Sequence, residues 1–367
     1  MEETNIVLGP VTSLLVWRAS MAGMVDMPYE PLRRPDRMRS IARVRSVRGL
    51  DVIRQLESMG GIPLDVTVAQ SKRTHVCNSL DIIMLKDQLP DVSLFAVGEG
   101  AYLCSPELCF VLLARGCPTL HLLKLGCELC GTYSIAPDQT GSFVNCPQLT
   151  TVAKLSDYVT RLGHRHGVRQ ARGALEYLAD GADSPRETAL YLLLTMPNRL
   201  GGYGFRRPEL NGRVDISEYA QGRLGKAYLR CDQVYRDKKG NAIAVGEYDS
   251  NERHIYLSNE VGETVFNVEK ILSDDERREA IVEAGAEVVT IRTEDTRIFA
   301  QMDAKAMRLG RAAGCEPRAS IGELASKRMG LFYEVYDAWV WRDEYELLRS
   351  MAGYTRVIRR GGAREDA

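Results

Sequence analysis

Apolar positions in the N-terminal part of the chain follow helical and strand spacing in turn. Helical spacing covers residues 50–59 and 106–114, and apolar runs typical of strands lie at residues 64–69, 81–86 and 92–97. Ser105 followed by Pro106 and Glu107 predicts a helix start, because serine caps a helix and proline fits its first turn. The pattern predicts an N-terminal α+β region over residues 1–150.

Residues 149–180 have a helical pattern and are rich in basic side chains. Gly163 and Gly167 weaken the middle of this predicted helix, since glycine is a poor helix former. The turn-forming sequence at residues 180–183 then separates it from the next helix. We therefore assign residues 151–183 to a basic helical linker.

From residue 184 the pattern has the order α-β-β-β-α-β-α, which predicts an α/β unit over residues 184–312 with a mixed sheet flanked by helices. Ser184 is expected to cap the first helix, and Pro197 to end it. Strands are predicted at residues 214–216, 228–235, 242–248 and 286–291. Ser273 and Thr293 are expected to cap the two later helices.

Residues 313–367 form a predicted helical appendage, with helices at residues 321–329 and 332–351. The second helix carries Phe332, Tyr336 and Trp339. Aromatic residues at helical spacing favour a packed surface over a cofactor site. We interpret this segment as a docking helix, through which the chain could form a homodimer or bind a protein partner.

The chain has 367 residues and a formal net charge of −1, so no overall field would draw it to nucleic acid. Local basic segments, at residues 33–48 and 161–172, are therefore the candidates for DNA contacts. The first of these segments could instead be a solvated helix face or a linker. The arginines of the first segment are Arg33, Arg34, Arg37, Arg39, Arg43, Arg45 and Arg48.

No apolar run approaches the ~18 residues that a membrane helix needs, and the N-terminus lacks the pattern of a signal peptide. We therefore expect a cytoplasmic protein with no membrane partner. A disulfide framework is not expected for its 9 cysteines in a reducing compartment. Cys127 and Cys130 form a C-x-x-C, so a zinc module within residues 104–146 is an alternative to buried thiols.

Acidic residues stand in two neighbouring predicted strands. Asp232 lies in the first, and Glu247 and Asp249 close the second. Residues two apart on a strand share a face, so these last two would project together. A buried unpaired carboxylate is costly, and acids in such places are tolerated when a cation neutralises them. Hard cations such as Mg²⁺ prefer oxygen ligands, so the pattern predicts a site for Mg²⁺ or Mn²⁺.

Each candidate residue also has a structural alternative. Glu187 lies three residues after the predicted helix cap, which is the spacing of a capping box. Asp232 and Asp249 could be turn residues, and His254 could lie in a partly exposed loop.

A wider ordered set of residues contains these acids. It comprises Ser184-Pro185-Arg186-Glu187, Pro197, Gly201-Gly202-Tyr203-Gly204, Pro208, Asn211, Asp232, Glu247-Tyr248-Asp249-Ser250, His254, Asp274, Asp275, Arg277-Arg278 and Gly285. Over about residues 155–310 the set resembles the DUF559-type proteins of the restriction-endonuclease-like PD-(D/E)XK superfamily, near the very short patch repair endonucleases. The N-terminal half looks like that of actinobacterial proteins that carry this domain and is similar, more weakly, to AbiEi-type antitoxin and regulator proteins. The residues behind these likenesses are Thr12-Ser13, Trp17-Arg18, Val97, Ser105-Pro106-Glu107, Leu125-Gly126 and Glu128-Leu129-Cys130-Gly131.

The first resemblance implies a Mg²⁺-dependent DNA endonuclease, active in defence, repair or mobile-element biology. Glu187, Asp232 and Glu247 would hold the metal. His254 would act as a general base or phosphate contact, since histidine titrates near neutral pH.

Two departures from the superfamily pattern motivate an alternative function. Asp249 counts among the candidate catalytic residues, yet it stands where the commonest pattern has a lysine, and an aspartate cannot supply positive charge. Gly246 stands where a β-branched residue is expected, and glycine weakens a strand. The alternative is a non-catalytic DNA-binding regulator, or antitoxin-like protein, that retains the nuclease fold. Arg277 and Arg278 could bind phosphates or lie on a solvated helix face.

Overall fold

A computed structural model of the chain describes residues 6–25, 30–31, 50–58, 65–69, 81–85, 89–98, 101–137, 142–163, 167–249, 255–257, 264–266 and 268–336. These residues fall into two compact units, one up to Asp180 and one from Gly181 onward. Both units combine helices with sheets, so the predicted mixed α/β architecture is confirmed. Within the described ranges, no helix is long and apolar enough to cross a membrane.

The first unit is built on a six-stranded sheet with the order β2-β5-β6-β1-β3-β4. Its strands are β1 (Ile6–Leu8), β2 (Glu30–Pro31), β3 (Asp65–Ala69), β4 (Asp81–Leu85), β5 (Leu94–Gly98) and β6 (Ala101–Cys104). Its helices are α1 (Pro10–Met21), α2 (Asp51–Ser58), α3 (Pro106–Leu113), α4 (Thr119–Leu129), α5 (Val152–Leu162) and α6 (Val168–Leu175). A two-stranded sheet of β7 (Tyr133–Ile135) and β8 (Phe143–Asn145) completes it.

The core of the first unit surrounds α1, which is buried from Pro10 to Ala19. Its Trp17 indole donates to the carbonyl of Cys104 at 2.9 Å and so ties α1 to the end of β6. The next helix, α3, begins as predicted. The hydroxyl of Ser105 accepts from the Leu108 amide at 3.2 Å, and Pro106 occupies the first turn.

The predicted helix at residues 149–180 is two helices, α5 and α6. Gly163 has φ 71° and Gly167 has φ 89°, a left-handed conformation that interrupts an α-helix. Both helices are amphipathic and pack into the first unit through residues such as Leu155, Tyr158 and Ala171. The glycines therefore separate two helices, whereas the sequence predicted one helix with a weakened middle.

The second unit contains a four-stranded sheet with the order β14-β11-β10-β9. The strands are β9 (Glu209–Asp215), β10 (Tyr228–Arg236), β11 (Ala242–Asp249) and β14 (Glu287–Arg292), and a separate pair is β12 (Ile255–Leu257) with β13 (Thr264–Phe266). The helices are α7 (Pro185–Thr195), α8 (Glu218–Leu224), α9 (Val268–Glu283), α10 (Phe299–Ala312) and α11 (Gly322–Tyr336). Strand β10 pairs antiparallel with β9 on one side and with β11 on the other, whereas β11 and β14 are parallel.

The two faces of this sheet pack against different helices. Val245 of β11 packs in a core cluster with Ala280 and Ile281 of α9. On the opposite face, a Cβ added to Gly246 would lie only 3.0 Å from Leu309 of α10. The close approach of α10 therefore gives this glycine a packing role in the strand.

Two predicted helix caps in this unit are wrong. Helix α9 begins at Val268, so Ser273 lies inside it and cannot be its N-cap. Thr293 precedes a short 3-10 turn, and α10 begins only at Phe299, after Ile298. Neither residue is a helix cap, because α9 already includes residues 268–272 and the Thr293 hydroxyl lies 3.2 Å from that of Tyr248.

In the described part of the predicted appendage, α11 runs without a break across residues 322–336, where a boundary between two helices was expected. Residues 337–351 of the second predicted helix lie outside the described residues. Phe332 is fully buried, with its ring centroid 5.7 Å from that of Phe299. Arg328 is also buried and donates to Asn198 at 2.9 Å. This helix thus docks on the second unit itself.

Candidate functional site

Two of the candidate acids, Asp232 and Glu247, lie where the pairing of strands β10 and β11 ends. The paired positions of these strands run from Gln233–Gly246 to Arg236–Ala242. Just beyond the first pair, the Asp232 carboxylate accepts from the Tyr248 amide at 2.6 Å. A side-chain oxygen thus satisfies a backbone donor at the point where the strands diverge.

Strand β10 also changes its alternation at this point. Cys231 and Val234 both belong to the core cluster, although they are three positions apart and strict alternation would place them on opposite faces. On the neighbouring strand, Asn211 has φ 49°, a left-handed conformation that asparagine tolerates. Asn211 and Asp232 therefore lie at a local irregularity, which is a common way to re-aim side chains.

Glu187, on the first turn of α7, is held by three hydrogen-bond donors. Its carboxylate accepts from the Ser184 hydroxyl at 2.9 Å, from the Asp183 amide at 2.9 Å and from the Asn211 side-chain amide at 3.0 Å. The Glu187 amide in turn donates to the Ser184 hydroxyl at 3.2 Å. Glu187 therefore makes the capping box, and Asn211 ties it to β9.

Glu247 projects from β11 toward α9, where it pairs with Arg277 at 2.9 Å. The same guanidinium donates to the carbonyl of Arg230 and lies 3.8 Å from the Cys231 sulfur. The side chains of Glu247 and Arg277 are 18% and 28% exposed, so the pair is neither a surface contact nor a fully buried one.

The charges of these residues act on one another. Burial raises the pKa of Asp232 well above its usual range, and the charges of Glu247 and Glu187 raise it further. Burial also raises the pKa of Glu187, against the lowering effect of its hydrogen bonds. Burial alone would lower the pKa of Arg277, but Glu247 and its other negative neighbours outweigh this and raise it. The site therefore has more negative charge than one arginine neutralises, and added positive charge would stabilise it.

The fit of a divalent cation to these residues is good in donor chemistry and incomplete in geometry. Carboxylates are the ligands that Mg²⁺ prefers. Glu187, however, is engaged by its three donors, and one oxygen of Glu247 is engaged by Arg277. Within the ranges that the structure describes, no group of three or more His, Cys, Asp or Glu side chains is placed to hold a metal ion. The described part of the predicted ligand set therefore does not form a complete site for a divalent cation.

The remaining predicted site residues lie in several places. Asp249 ends β11, where it pairs with Arg292 of β14 in the sheet. His254 and the arginine-rich segment at residues 33–48 lie outside the described residues. Of residues 161–172, Arg161 lies in α5 and pairs with Asp157 at 2.9 Å, and Arg169 and Arg172 lie in α6. Residues 164–166 lie outside the described residues.

The role of Arg277 was left open between a phosphate contact and a solvated helix face, although the sequence holds a signal for its position. Arg277 precedes the buried Ala280 and Ile281 by three and four residues, and such positions share one helix face. Arg278, one position further on, points elsewhere and pairs with Asp275 at 2.7 Å. Helical spacing from the buried residues therefore separates the two neighbouring arginines.

The cysteine-rich stretch of the first unit consists of buried and half-buried thiols, and none of the described cysteines forms a disulfide. Burial raises the pKa of Cys130 far above its usual range and that of Cys146 to about 11. Zinc binds thiolates, so these environments do not favour it. The zinc module stays a prediction that metal analysis of the purified protein can test. A stoichiometric amount of zinc would support it, and less would exclude it.

Comparison with known proteins adds no relative to this picture. No family model matches the chain, and neither a curated protein nor a solved structure matches it significantly.

Proposed function

We propose that the second unit is a Mg²⁺-dependent DNA endonuclease of the DUF559-like, restriction-endonuclease-like type. The observation that carries the proposal is the placement of Asp232 and Glu247 at the divergence of β10 and β11, where Glu187 also acts on the charge of Asp232. Acids gathered at the end of two strands are what a phosphodiesterase needs to bind a cation beside a phosphate.

The element order of the second unit supports this proposal. Helix α7 precedes three antiparallel strands, and α9 leads to β14, which runs parallel to β11. This agrees with the predicted α-β-β-β-α-β-α order. Helix α8 and the small sheet of β12 and β13 are additions to it. Order and strand direction fit many folds, so they support the fold proposal without identifying the reaction.

The proposed roles rest on the placement of the side chains. Asp232 and Glu247 would hold the cation, and Glu187 would support Asn211 and the local shape of the site. The bound cation would polarise the scissile phosphate and lower the pKa of a water molecule. His254 would accept or donate a proton nearby. Asp249 would add negative charge at the strand end.

DNA is the proposed substrate, and the basic segments at residues 33–48 and 161–172 are the proposed phosphate contacts. Such contacts position a duplex without reading its sequence. We place the protein in the cytoplasm, in defence, repair or mobile-element biology, and propose that a homodimer or a protein partner could use the C-terminal segment.

Cleavage of supercoiled plasmid DNA with Mg²⁺ or Mn²⁺ tests the proposal. Asp232→Asn and Glu247→Gln remove charge with little change of shape, and we expect each to lower the cleavage rate about a hundredfold or more. Arg278→Gln, a change to an exposed arginine beside the site, is the matched control and should cleave like wild type. Equal cleavage by all four proteins would show that the nuclease lies elsewhere or is a contaminant.

The alternative function is a non-catalytic DNA-binding regulator that retains this fold. The pairing of Arg277 with Glu247 favours it, because a built-in cation can neutralise the acids without a metal. Binding of a labelled DNA duplex distinguishes the two. The alternative expects binding that a chelator leaves unchanged, with no cleavage at any metal concentration.

A further inference from the structure

We propose that the loop between β10 and β11 is a contact surface for the phosphate backbone of duplex DNA. The loop covers residues 237–241 and carries Lys238 and Lys239 at its tip. This inference rests on the proposed function only in naming DNA as the partner. It goes beyond that proposal, because it places a phosphate contact on the second unit itself.

The loop is a turn closed by hydrogen bonds, with its lysines on the outside. The Asp237 carboxylate accepts from the Lys239 amide at 2.8 Å and from the Asn241 amide at 2.9 Å. Gly240 has φ 89°, a conformation that glycine adopts readily. Lys238 and Lys239 are exposed, and neither forms an ion pair with a residue that the structure describes. Their charges are therefore available to a partner.

Arg206 adds a further cation beside the loop. Its guanidinium donates to the carbonyl of Arg236 and, at 3.0 Å, to the carbonyl of Ala313 at the end of α10. Carbonyl groups carry no net charge, so these bonds fix Arg206 without cancelling its charge. Arg236 itself is matched by Glu209 at 2.7 Å and adds little. The loop and the fixed Arg206 thus form one positively charged surface.

The chemistry of this surface favours a nucleic acid as the partner. Lysine is depleted in contacts between proteins, whereas the phosphates of DNA attract lysine and arginine by charge. Residues 237–241 include no aromatic side chain to stack on the bases of a single strand, and no apolar one to enter a membrane. The surface is therefore suited to the backbone phosphates of a duplex, which it contacts without reading the sequence.

The loop lies at the opposite end of β11 from the candidate acids. Strand β11 begins at Ala242, directly after the loop, and Glu247 lies about 17 Å further along the strand. One turn of duplex DNA measures about 35 Å, so a single duplex is long enough to meet both. The loop thereby helps to hold DNA on the unit that carries the candidate site.

Fluorescence anisotropy of a labelled DNA duplex, with the full-length protein in EDTA, tests the contact without cleavage. Replacing Lys238 and Lys239 together by Gln should weaken binding about tenfold and reduce the slope of log affinity against log salt by about two. Replacing both by Arg keeps the charge and should preserve wild-type binding. The matched control replaces Lys226 and Lys327 by Gln, which removes the same charge from exposed positions of the second unit and should also bind like wild type.

Unchanged affinity and salt slope in the Lys238→Gln, Lys239→Gln variant overturn the inference. An equal loss in the control variant does so too, because it shows an effect of net charge alone. If polyglutamate displaces the labelled duplex as readily as unlabelled duplex at equal charge, the partner is an acidic protein and the choice of DNA is wrong.

Failure of the contact and failure of the nuclease give different results. The expected binding differences, together with no cleavage by the wild type in Mg²⁺ or Mn²⁺, support the contact and remove the nuclease. Cleavage by the wild type with unchanged binding in the Lys238→Gln, Lys239→Gln variant removes the contact and leaves the nuclease standing. No binding of DNA by the wild type removes both the contact and DNA as the substrate.

Discussion

The two units each contain an arginine–glutamate pair, and the pairs differ in almost every respect. In the first unit, Arg18 and Glu128 are each 3% exposed and meet through two contacts, at 2.9 and 2.5 Å. Glu128 also accepts from the Ile135 amide at 3.0 Å. In the second unit, Arg277 meets Glu247 through one nitrogen, and both side chains reach solvent.

This difference distinguishes an ion pair enclosed in the core from one that is partly exposed to solvent. The bidentate pair fixes α1 against α4, and its charges balance within a closed core. Burial raises the pKa of Asp232, and the charge of Glu247, which the single contact with Arg277 does not cancel, raises it further. The charges around the pair of the second unit are therefore less closely balanced than those of the buried pair.

The largest loss in the free energy of unfolding is expected from breaking the buried pair of Arg18 and Glu128. Arg18→Met leaves Glu128 charged and without its bidentate partner, and we expect a loss of about 3–5 kcal/mol in the free energy of unfolding of the first unit. Urea denaturation followed by circular dichroism measures it. Arg54→Met, at an exposed arginine paired with Asp51 at 3.3 Å, is the control and should cost less than about 0.5 kcal/mol. Equal losses in the two variants would contradict the structural role of the Arg18 pair.

The sequence predicted the second unit better than its site. Strands β10 and β11 and helix α7 were predicted from apolar runs and from the serine cap at residue 184, which are local signals. The start of α9 was not predicted, because Ser273 is a good cap in isolation, whereas the helix already includes residues 268–272.

The candidate site depends on contacts between residues distant in the chain, which spacing alone cannot predict. The acids were recognised because charged residues are rare in strands. The left-handed Asn211 and the turn of Arg277 toward Glu247 arise from tertiary geometry. Whether Glu187 serves the helix cap or a metal could not be settled from sequence, since the same spacing suits both.

The next largest loss in the free energy of unfolding is expected at Gly246, on the face of β11 that packs against α10. Gly246 meets α10 closely on one face of β11, while the adjacent Glu247 projects from the other face toward Arg277. Gly246→Val would press on Leu309 and should destabilise the second unit by about 2 kcal/mol. Thermal unfolding measures the loss. Gly222→Ala, in α8 with open space around it, is the control and should stabilise by about 0.5 kcal/mol. If Gly246→Val caused no loss of stability, α10 would have to shift at this contact to make room for the side chain.

Replacement of Asp232 is expected to have a smaller effect on the free energy of unfolding, and this effect should be a gain. Because its pKa is raised in the folded protein, its ionised form costs stability at neutral pH. This cost is absent below the ordinary aspartate pKa of about 3.9 and grows as the pH rises through the raised value. Asp232→Asn keeps an oxygen for the Tyr248 amide and should stabilise the second unit by about 1 kcal/mol at pH 8.

Denaturation of Asp232→Asn and wild type at several pH values checks the sign. The gain should shrink steadily as the pH falls toward 4. Asp215→Asn, at an aspartate that is 75% exposed and paired with Arg213, is the control and should show no such gain. A gain that is constant with pH, or that grows in acid, would contradict the strained charge at Asp232.

The smallest effect is expected at the partly exposed pair of the second unit. Arg277→Gln removes a single contact between groups that reach solvent, and the carboxylate it leaves can still bind water. We expect a loss of about 1 kcal/mol or less in the free energy of unfolding, against the several kcal/mol expected for Arg18→Met. Urea denaturation of the two variants side by side measures the difference. A loss at Arg277 as large as that at Arg18 would contradict this difference between the two pairs.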